Sequence, residues 1–397
     1  MEFAKRMNNM KASEIRELLK LTQNPEIISF AGGLPAPELF PVKEIEKIAA
    51  ELIAKNGRQI LQYSTTEGHA PLRAKIADRM NKKFKTNVQA DNILITSGSQ
   101  QGLDFSGKIF LNEGDVVLCE SPSYMGAINA FNAYMPNFVE VPTDEDGMIM
   151  EELERIVATT KNVKMIYVIP DFQNPTGRTW PLARRKKFME IITKYEIPVI
   201  EDDPYGELRY EGETLPCLLS MDTKGLVAFM GTFSKTFCPG LRIGWVAAAP
   251  ELLEPYITVK QSADLHTAPF NQQIIDAFID QYDFDAHVEE IKALYRNRRD
   301  LIIKTMTECF PSCVTFTHPQ GGLFLWVMLP KEINARDLMA TCLKKKVAFV
   351  PGGPFFPNGG NENTLRLNYS NMPEDKIVEG IKRLGQALDD ALVCKCK

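Results

Sequence analysis

From about residue 90 onward, short apolar runs alternate with helix-like stretches. "NILIT" (92 to 96) precedes a helix expected to begin near Ser99, and "VVLCE" (116 to 120) follows. "KMIYVIP" (164 to 170) and "IPVIED" (197 to 202) are separated by an Arg/Lys-rich helical stretch near 182 to 195. "LVAFM" (226 to 230) and "IGWVAAA" (243 to 249) come next. A strand with one wet face alternates apolar and polar residues, whereas a run apolar throughout is buried on both faces. Such strands joined by helical crossovers specify an α/β fold, a mostly parallel sheet covered by helices on both sides.

At 397 residues the chain is too long for one small core. After a long helix expected at 285 to 310 the pattern changes. Strands expected near 313 to 317, 323 to 329, 346 to 350 and 364 to 369 mix with helices near 334 to 345 and 373 to 392, which describes a smaller α+β domain. Ahead of the large domain, 12 to 22 reads as a helix capped by Ser13, and "AGGLPAPELFP" (31 to 41) is a Gly/Pro-rich connector. The expected division is 1–40 as a covering segment, 41–290 as the large domain and 291–397 as the small one.

Composition removes several function classes. A net charge of −5 gives no electrostatic footprint for nucleic acid. No apolar run approaches membrane-spanning length. The charged start "MEFAKRMNNMKASEIRELLK" lacks the apolar core of a signal peptide, and the eight cysteines form no CxxC pair. Both point to the cytoplasm. Cys394 and Cys396 flank Lys395 and read as tail thiols, and the histidines (His69, His266, His287, His318) lie far apart, so no metal is expected.

Four loops at strand ends carry unusual polar residues, and ligands of parallel sheets bind beyond the carboxyl ends of the strands. In "TSGSQQG" (96 to 102), small residues lead into a helix whose unpaired N–H groups favour an anion, with Ser99 and Gln100 placed to cradle a phosphate. An ordinary capped helix explains that loop equally well. "PDFQNPTG" (170 to 177) offers the Asn174 amide, or else a plain Asn-Pro turn. "IEDDPYG" (200 to 206) sets three acids after a buried strand, a costly choice unless one carboxylate meets a cation; Asp202 and Tyr205 are its candidates. "GTFSKTFCPGLRIGW" (231 to 245) holds Lys235 between two buried runs, with Ser234 and Arg242 as phosphate donors. A desolvated lysine is a nucleophilic amine suited to Schiff-base chemistry. A lone lysine is usually a surface charge, but that reading does not explain all four loops in this order.

A cofactor needing these parts carries an aldehyde for the amine, a ring nitrogen for the carboxylate, a ring hydroxyl for an amide or phenol, and an anion. Pyridoxal 5′-phosphate has all four handles. The chain resembles the fold-type-I, class I/II aminotransferases, and within them the 2-aminoadipate and kynurenine/aminoadipate group. The resemblance rests on "ISFAGGLPAPELFP", "LQYSTTEGHAPLR", "QNPTG", "EDDPYGEL", "SKTFCPGLRIGW", "PGGPFF" and "NTLRLNYS", in family order over nearly the whole chain.

The resemblance implies that Lys235 holds the cofactor as a Schiff base and later moves the proton. Asp202 would pair with the pyridinium nitrogen, Asn174 and Tyr205 with the ring 3′-oxygen, and Tyr124 would stack on the ring. Ser99, Gln100, Ser234 and Arg242 would hold the phosphate, with Thr232 beside them; relatives often have serine at that position. Tyr63 resembles a tyrosine that reaches the phosphate from a neighbouring subunit, so a homodimer is implied. Arg366 would clamp the substrate α-carboxylate, and Gly33 would line the substrate site. Arg16 falls where the aminoadipate group has an arginine for a distal carboxylate; a solvated helix residue is the competing reading.

The implied activity is transfer of an amino group from an L-amino acid to a 2-oxo acid such as 2-oxoglutarate, by ping-pong kinetics. The rivals are β-elimination or decarboxylation with the same cofactor, and a ligand-sensing regulator that uses this fold as an effector domain. The regulator would carry an N-terminal winged helix, for which the start of the match leaves no room. A nicotinamide fold is discounted because no GxGxxG follows the first strand.

Overall fold

The computed structural model describes residues 1–8, 10 and 24–393. The helix expected at 12 to 22, with Arg16, and the cysteines at 394 and 396 lie outside them. A short strand β1 (Ile28–Ser29) enters first. The large sheet then forms from β2 (Ile93–Thr96), β3 (Val116–Ser121), β4 (Asn137–Asp144), β5 (Gly147–Met148), β6 (Val163–Val168), β7 (Val199–Asp203), β8 (Val227–Thr232) and β9 (Gly244–Ala247). Their spatial order is β2-β9-β8-β7-β6-β3-β4-β5. The pairs β8/β7, β7/β6, β6/β3 and β3/β4 are parallel, while β9 runs antiparallel to β8 and β2, and β5 antiparallel to β4. The α/β expectation therefore holds.

The apolar runs sort themselves by the two-residue period of a strand. Leu94, Val117, Tyr167, Ile200, Met230 and Val246 face one side and pack with Leu103 and Phe105 of the helix Ser99–Phe110. Their neighbours Ile93, Ile95, Phe229 and Trp245 face the other side, as do Ile166, Val168, Val199 and Val227 further along the sheet. Each such side chain contributes roughly 1.5–3 kcal/mol on burial. Gly102 lets the helix Ser99–Phe110 approach closely, since a Cβ there would lie 2.6 Å from the Met230 sulfur.

The helix Phe284–Cys309 has 26 residues, about 39 Å. Its Ile291, Tyr295, Ile302 and Met306 share a core with Ile377, Ile381, Leu384 and Leu388 of the helix Glu374–Val393. Beside it lie β10 (Thr315–Phe316), β11 (Phe324–Met328), β12 (Val347–Ala348), β13 (Val350–Pro351) and β14 (Thr364–Asn368). Strands β10-β11-β14-β13 make an antiparallel sheet, and β12 pairs with β1 instead. The run expected as one strand at 346 to 350 is thus two short strands serving different sheets. The Phe30 N–H donates to the Ala348 carbonyl at 2.8 Å and the Asn368 N–H to the Phe30 carbonyl at 2.9 Å. These bonds lay the 31–34 segment over the end of the large sheet.

Candidate active site

The parallel strands β7 and β8 end side by side at Asp203 and Thr232, and the antiparallel pairings bring Gly244 and Thr96 to the same edge. A cavity of about 370 Å³ opens there. Ser99, Gln100, Tyr124, Asn174, Asp202 and Tyr205 line it, together with Thr232, Ser234, Lys235 and Arg242. Gly33 of the N-terminal segment and Arg366 of β14 complete the lining.

Lys235 sits in the turn between β8 and β9. Its ammonium donates to the Gly33 carbonyl at 2.7 Å. Burial, and then the neighbouring Arg366 and Arg242 guanidinium groups, push its pKa down to about 8 from an ordinary 10.5. A depressed lysine is neutral, and so nucleophilic, above that pH. Capture of pyridoxal phosphate by the cofactor-free protein should accelerate as pH rises through about 8 and then level off. Continued acceleration up to the ordinary lysine range, read by stopped-flow absorbance, would contradict this.

The three acids expected to follow a strand are instead the last three residues of β7 itself. Strand alternation sends them to different tasks. Glu201 turns to the far side and accepts from the Leu218 and Leu219 N–H groups at 2.7 and 2.9 Å. Asp203 accepts from the Gly206 N–H at 2.6 Å, closing the turn. Asp202 faces the cavity side: its Oδ2 accepts from the Tyr167 hydroxyl at 2.8 Å, and its Oδ1 is buried without a partner. Burial pushes its pKa up to about 7, opposed by the Tyr167 hydrogen bond.

The anion end is built on a helix start. Gly98, at φ +80°, turns the chain into the helix Ser99–Phe110. A Cβ on Gly98 would lie 2.4 Å from Arg242 Nη2, so only glycine lets this arginine lie across the helix N-terminus. The Thr232 hydroxyl donates to Ser234 Oγ at 3.0 Å and accepts from the Ser234 N–H at 3.1 Å, which fixes both hydroxyls. The Gln100 side chain is turned aside, donating to the Gly126 carbonyl at 2.9 Å.

Arg366 comes from β14 and is 2% exposed. Its Nη1 donates to Asn174 Oδ1 and its Nη2 to the Ala31 carbonyl, both at 2.8 Å, while Nε has no partner. The guanidinium carbon lies 4.1 Å from the Phe324 ring centroid and 5.1 Å from that of Phe355. Burial depresses its pKa to about 10, so it stays charged at neutral pH.

Several residues that hold this site were not singled out from the sequence. Asp171 pairs with buried Arg185 at 2.8 Å and with Arg209 at 2.9 Å. Gln173 donates to the Pro122 carbonyl at 2.7 Å and accepts from Thr176. Glu120 accepts from the Ile169 N–H at 3.1 Å and from Trp180 Nε1 at 3.0 Å; burial pushes its pKa up to about 7, with those bonds opposing. All three grip the loop that presents Asn174, whose amide donates to the Tyr205 hydroxyl at 3.4 Å. The sequence signal for Glu120 was available: an acid closing the buried run "VVLCE" needs buried donors.

Tyr63 is not brought into the cavity. It is 78% exposed, its ring edge-on to His266 at 5.8 Å. Arg16 lies outside the described residues. A larger cavity, about 440 Å³, opens behind Gly177, but its guanidinium groups are already engaged, Arg178 with Glu145 and Arg209 with Asp171. Among the described residues no group of three His, Cys, Asp or Glu side chains is placed to hold a metal ion, and no helix is long and apolar enough to cross a membrane.

The chain matches the family of class I and II aminotransferases over residues 27–384. It belongs to that family. The aminotransferase is 44% identical over 393 residues to 2-aminoadipate transaminase of Thermus thermophilus, covering 98% of this chain and 97% of the relative. It is 43% identical over 394 residues to aromatic-amino-acid aminotransferase 1 of Thermococcus litoralis, covering 98% and 94%. The solved structure of Pyrococcus horikoshii kynurenine aminotransferase, in complex with PMP, superposes with a TM-score of 0.94 at 42% identity, covering 98% of this chain and 97% of that one.

The aminotransferase is therefore a pyridoxal 5′-phosphate-dependent transaminase of fold type I. Its cavity fits that cofactor. The partnerless Asp202 Oδ1 suits a protonated ring nitrogen, the depressed Lys235 amine suits an aldehyde, and the helix start with Arg242 suits a phosphate.

Proposed function

We propose that the aminotransferase moves the amino group of L-2-aminoadipate, glutamate or an aromatic amino acid to a 2-oxo acid such as 2-oxoglutarate. One observation carries this reading: Lys235 and Arg366 line one cavity, and Arg366 has a buried Nε still free. The names of the relatives, which include 2-aminoadipate and aromatic-amino-acid enzymes, support this donor range.

Pyridoxal phosphate, when bound, supplies the electron sink for the pair left at the substrate Cα. The chain supplies the rest. Arg366 grips the α-carboxylate bidentately and so turns the Cα–H bond toward Lys235. Lys235 Nζ takes that proton as general base and returns it as general acid. Asp202 keeps the ring nitrogen protonated; Asn174 and Tyr205 hold the 3′-oxygen, and Tyr124 covers the ring face. Ser99, Ser234 and Arg242, with Thr232, hold the phosphate, and Gln100 contributes through its backbone N–H in the first turn of the helix Ser99–Phe110. Gly33 bounds the substrate side.

We assign residues 41–290 to the cofactor-binding domain, 291–397 to the small domain and 1–40 to a covering segment. Hydrogen exchange with and without a bound 2-oxo acid tests that division, since each part should respond as a unit. We further infer a homodimer in which Tyr63 completes the partner's phosphate site. Leu61, Tyr63 and Leu265 are each more than half exposed, at 73, 78 and 54%. A monomer in sedimentation at micromolar concentration would refute it. Cysteine usage supports the cytoplasm, which fractionation tests.

A panel of amino donors with 2-oxoglutarate tests the function. Parallel double-reciprocal plots, with 2-aminoadipate, glutamate and aromatic donors all accepted, are the expected result. Release of ammonia without an oxo-acid acceptor would favour a lyase instead. In the same panel, Arg16→Ala should selectively weaken donors with a distal carboxylate; equal activity on every donor would assign Arg16 to the solvated surface.

A further inference from the structure

Tyr167 is a buried phenol near the end of β6, a strand whose other buried residues, Met165, Ile166 and Val168, only pack. It is 1% exposed and packs edge-on against Phe131, ring centroids 5.7 Å apart. Its hydroxyl donates to Asp202 Oδ2 at 2.8 Å. The register places Tyr167 opposite Ile200, so Asp202 is two residues further along the neighbouring parallel strand, on the same face. A buried hydroxyl must find an acceptor, and this one meets the carboxylate that the cofactor also needs. Asp202 is thereby held by one oxygen, with the other buried and unpartnered.

We propose that Tyr167 is a positioning residue: its O–H bond to Oδ2 orients Asp202 and keeps the proton shared with the cofactor on the ring nitrogen rather than on Oδ1. This rests on the reading that Asp202 faces the ring nitrogen. A carboxylate that accepts a hydrogen bond is a weaker base than one that accepts none. Buried as it is, Asp202 without that bond would draw the shared proton to itself and leave the ring neutral. No bond is made or broken except the N–H/O–H exchange of that one proton. The other titratable groups acting on Asp202 are the Tyr124 and Tyr205 phenols, which stay neutral and carry other tasks. A neutral ring is a poorer electron sink, and it no longer repels a proton on the nitrogen that links the cofactor to Lys235.

The test compares the holoenzyme with Tyr167→Phe and Asp202→Asn, using cofactor labelled with 15N in the ring. In Tyr167→Phe the ring 15N resonance should move toward that of a neutral pyridine. The pH titration of the lysine-bound cofactor's visible absorbance should move upward by about one pH unit, a tenfold change in proton affinity. Turnover should fall about tenfold with KM for the amino donor within twofold, because Arg366 is untouched. If Tyr167→Phe fails to fold, site-specific 3-fluorotyrosine at 167 decides the question. Its more acidic phenol is a stronger donor, and it should shift the absorbance titration downward. Wild-type resonance and titration in Tyr167→Phe, or no shift with the fluorinated residue, would overturn the proposal. Asp202→Asn separates the two layers. If it changes the ring resonance while Tyr167→Phe does not, only the Tyr167 inference fails. If Asp202→Asn leaves the resonance unchanged, the reading of Asp202 fails as well.

Discussion

Replacing Lys235 by alanine is expected to lower turnover by at least ~10³-fold, because both the proposed covalent anchor and the proposed general base are lost. The protein should still fold. The side chain makes one hydrogen bond, to the Gly33 carbonyl, and a buried amine of depressed pKa adds little to stability. Cofactor should still bind, without a covalent link, through the helix start at Ser99, Arg242 and Asp202. Small primary amines added to the Lys235→Ala protein should restore part of the activity in proportion to their basicity, since they put a nitrogen base into the space the side chain left. Turnover within tenfold of wild type would place the base elsewhere.

The second large effect belongs to Arg366. Arg366→Lys keeps a cation but loses the planar fork that Asn174, Ala31 and the Phe324 ring hold in place. A bidentate contact to a carboxylate becomes at best a single one. The expected loss is about 10- to 100-fold in kcat/KM, mostly in KM, for donor and oxo acid alike. The grip on the phosphate should be unchanged, because none of the Arg366 contacts lies at that end, whereas the absorbance of the resting enzyme should respond only through the Asn174 contact. Amines lacking a carboxylate should react equally well with both proteins. An equal loss for those amines would mean that the substitution had disturbed the site as a whole.

Much of the site was legible because its chemistry sits at strand ends, where polar residues stand out against apolar runs. Lys235 and Arg242 lie in the β8–β9 turn, Asp202 is the penultimate residue of β7 and Asn174 follows β6, so each is marked by its neighbours along the chain. The supporting contacts were hidden because they cross between strands. Tyr167 meets Asp202, and Glu120 meets Trp180, only because β7, β6 and β3 are adjacent in the sheet. Inside "KMIYVIP" the tyrosine reads simply as one more buried residue. The acids of "IEDDPYG" were misplaced by a few residues for a related reason. A strand can carry three carboxylates to its end when alternation sends them to different faces, each with its own donors. The break at Phe349 was invisible for want of a turn residue; it arises because β12 serves the β1 pairing and β13 the small sheet.

We propose one lysine among many, Lys235, as the covalent anchor. Lys260 is the natural competitor, since it is fully buried, in a network with Gln101, Asp264 and Thr267, and its pKa too is lowered by burial. Its ammonium, however, is engaged by the Asp264 carboxylate at 2.9 Å, whereas Lys235 has only a carbonyl partner and lines the cavity. Borohydride reduction of the holoenzyme, followed by peptide mass spectrometry, distinguishes them. A phosphopyridoxyl group on Lys235 alone is the predicted result. The same group on Lys260 or any other lysine, with Lys235 unmodified, would contradict the account.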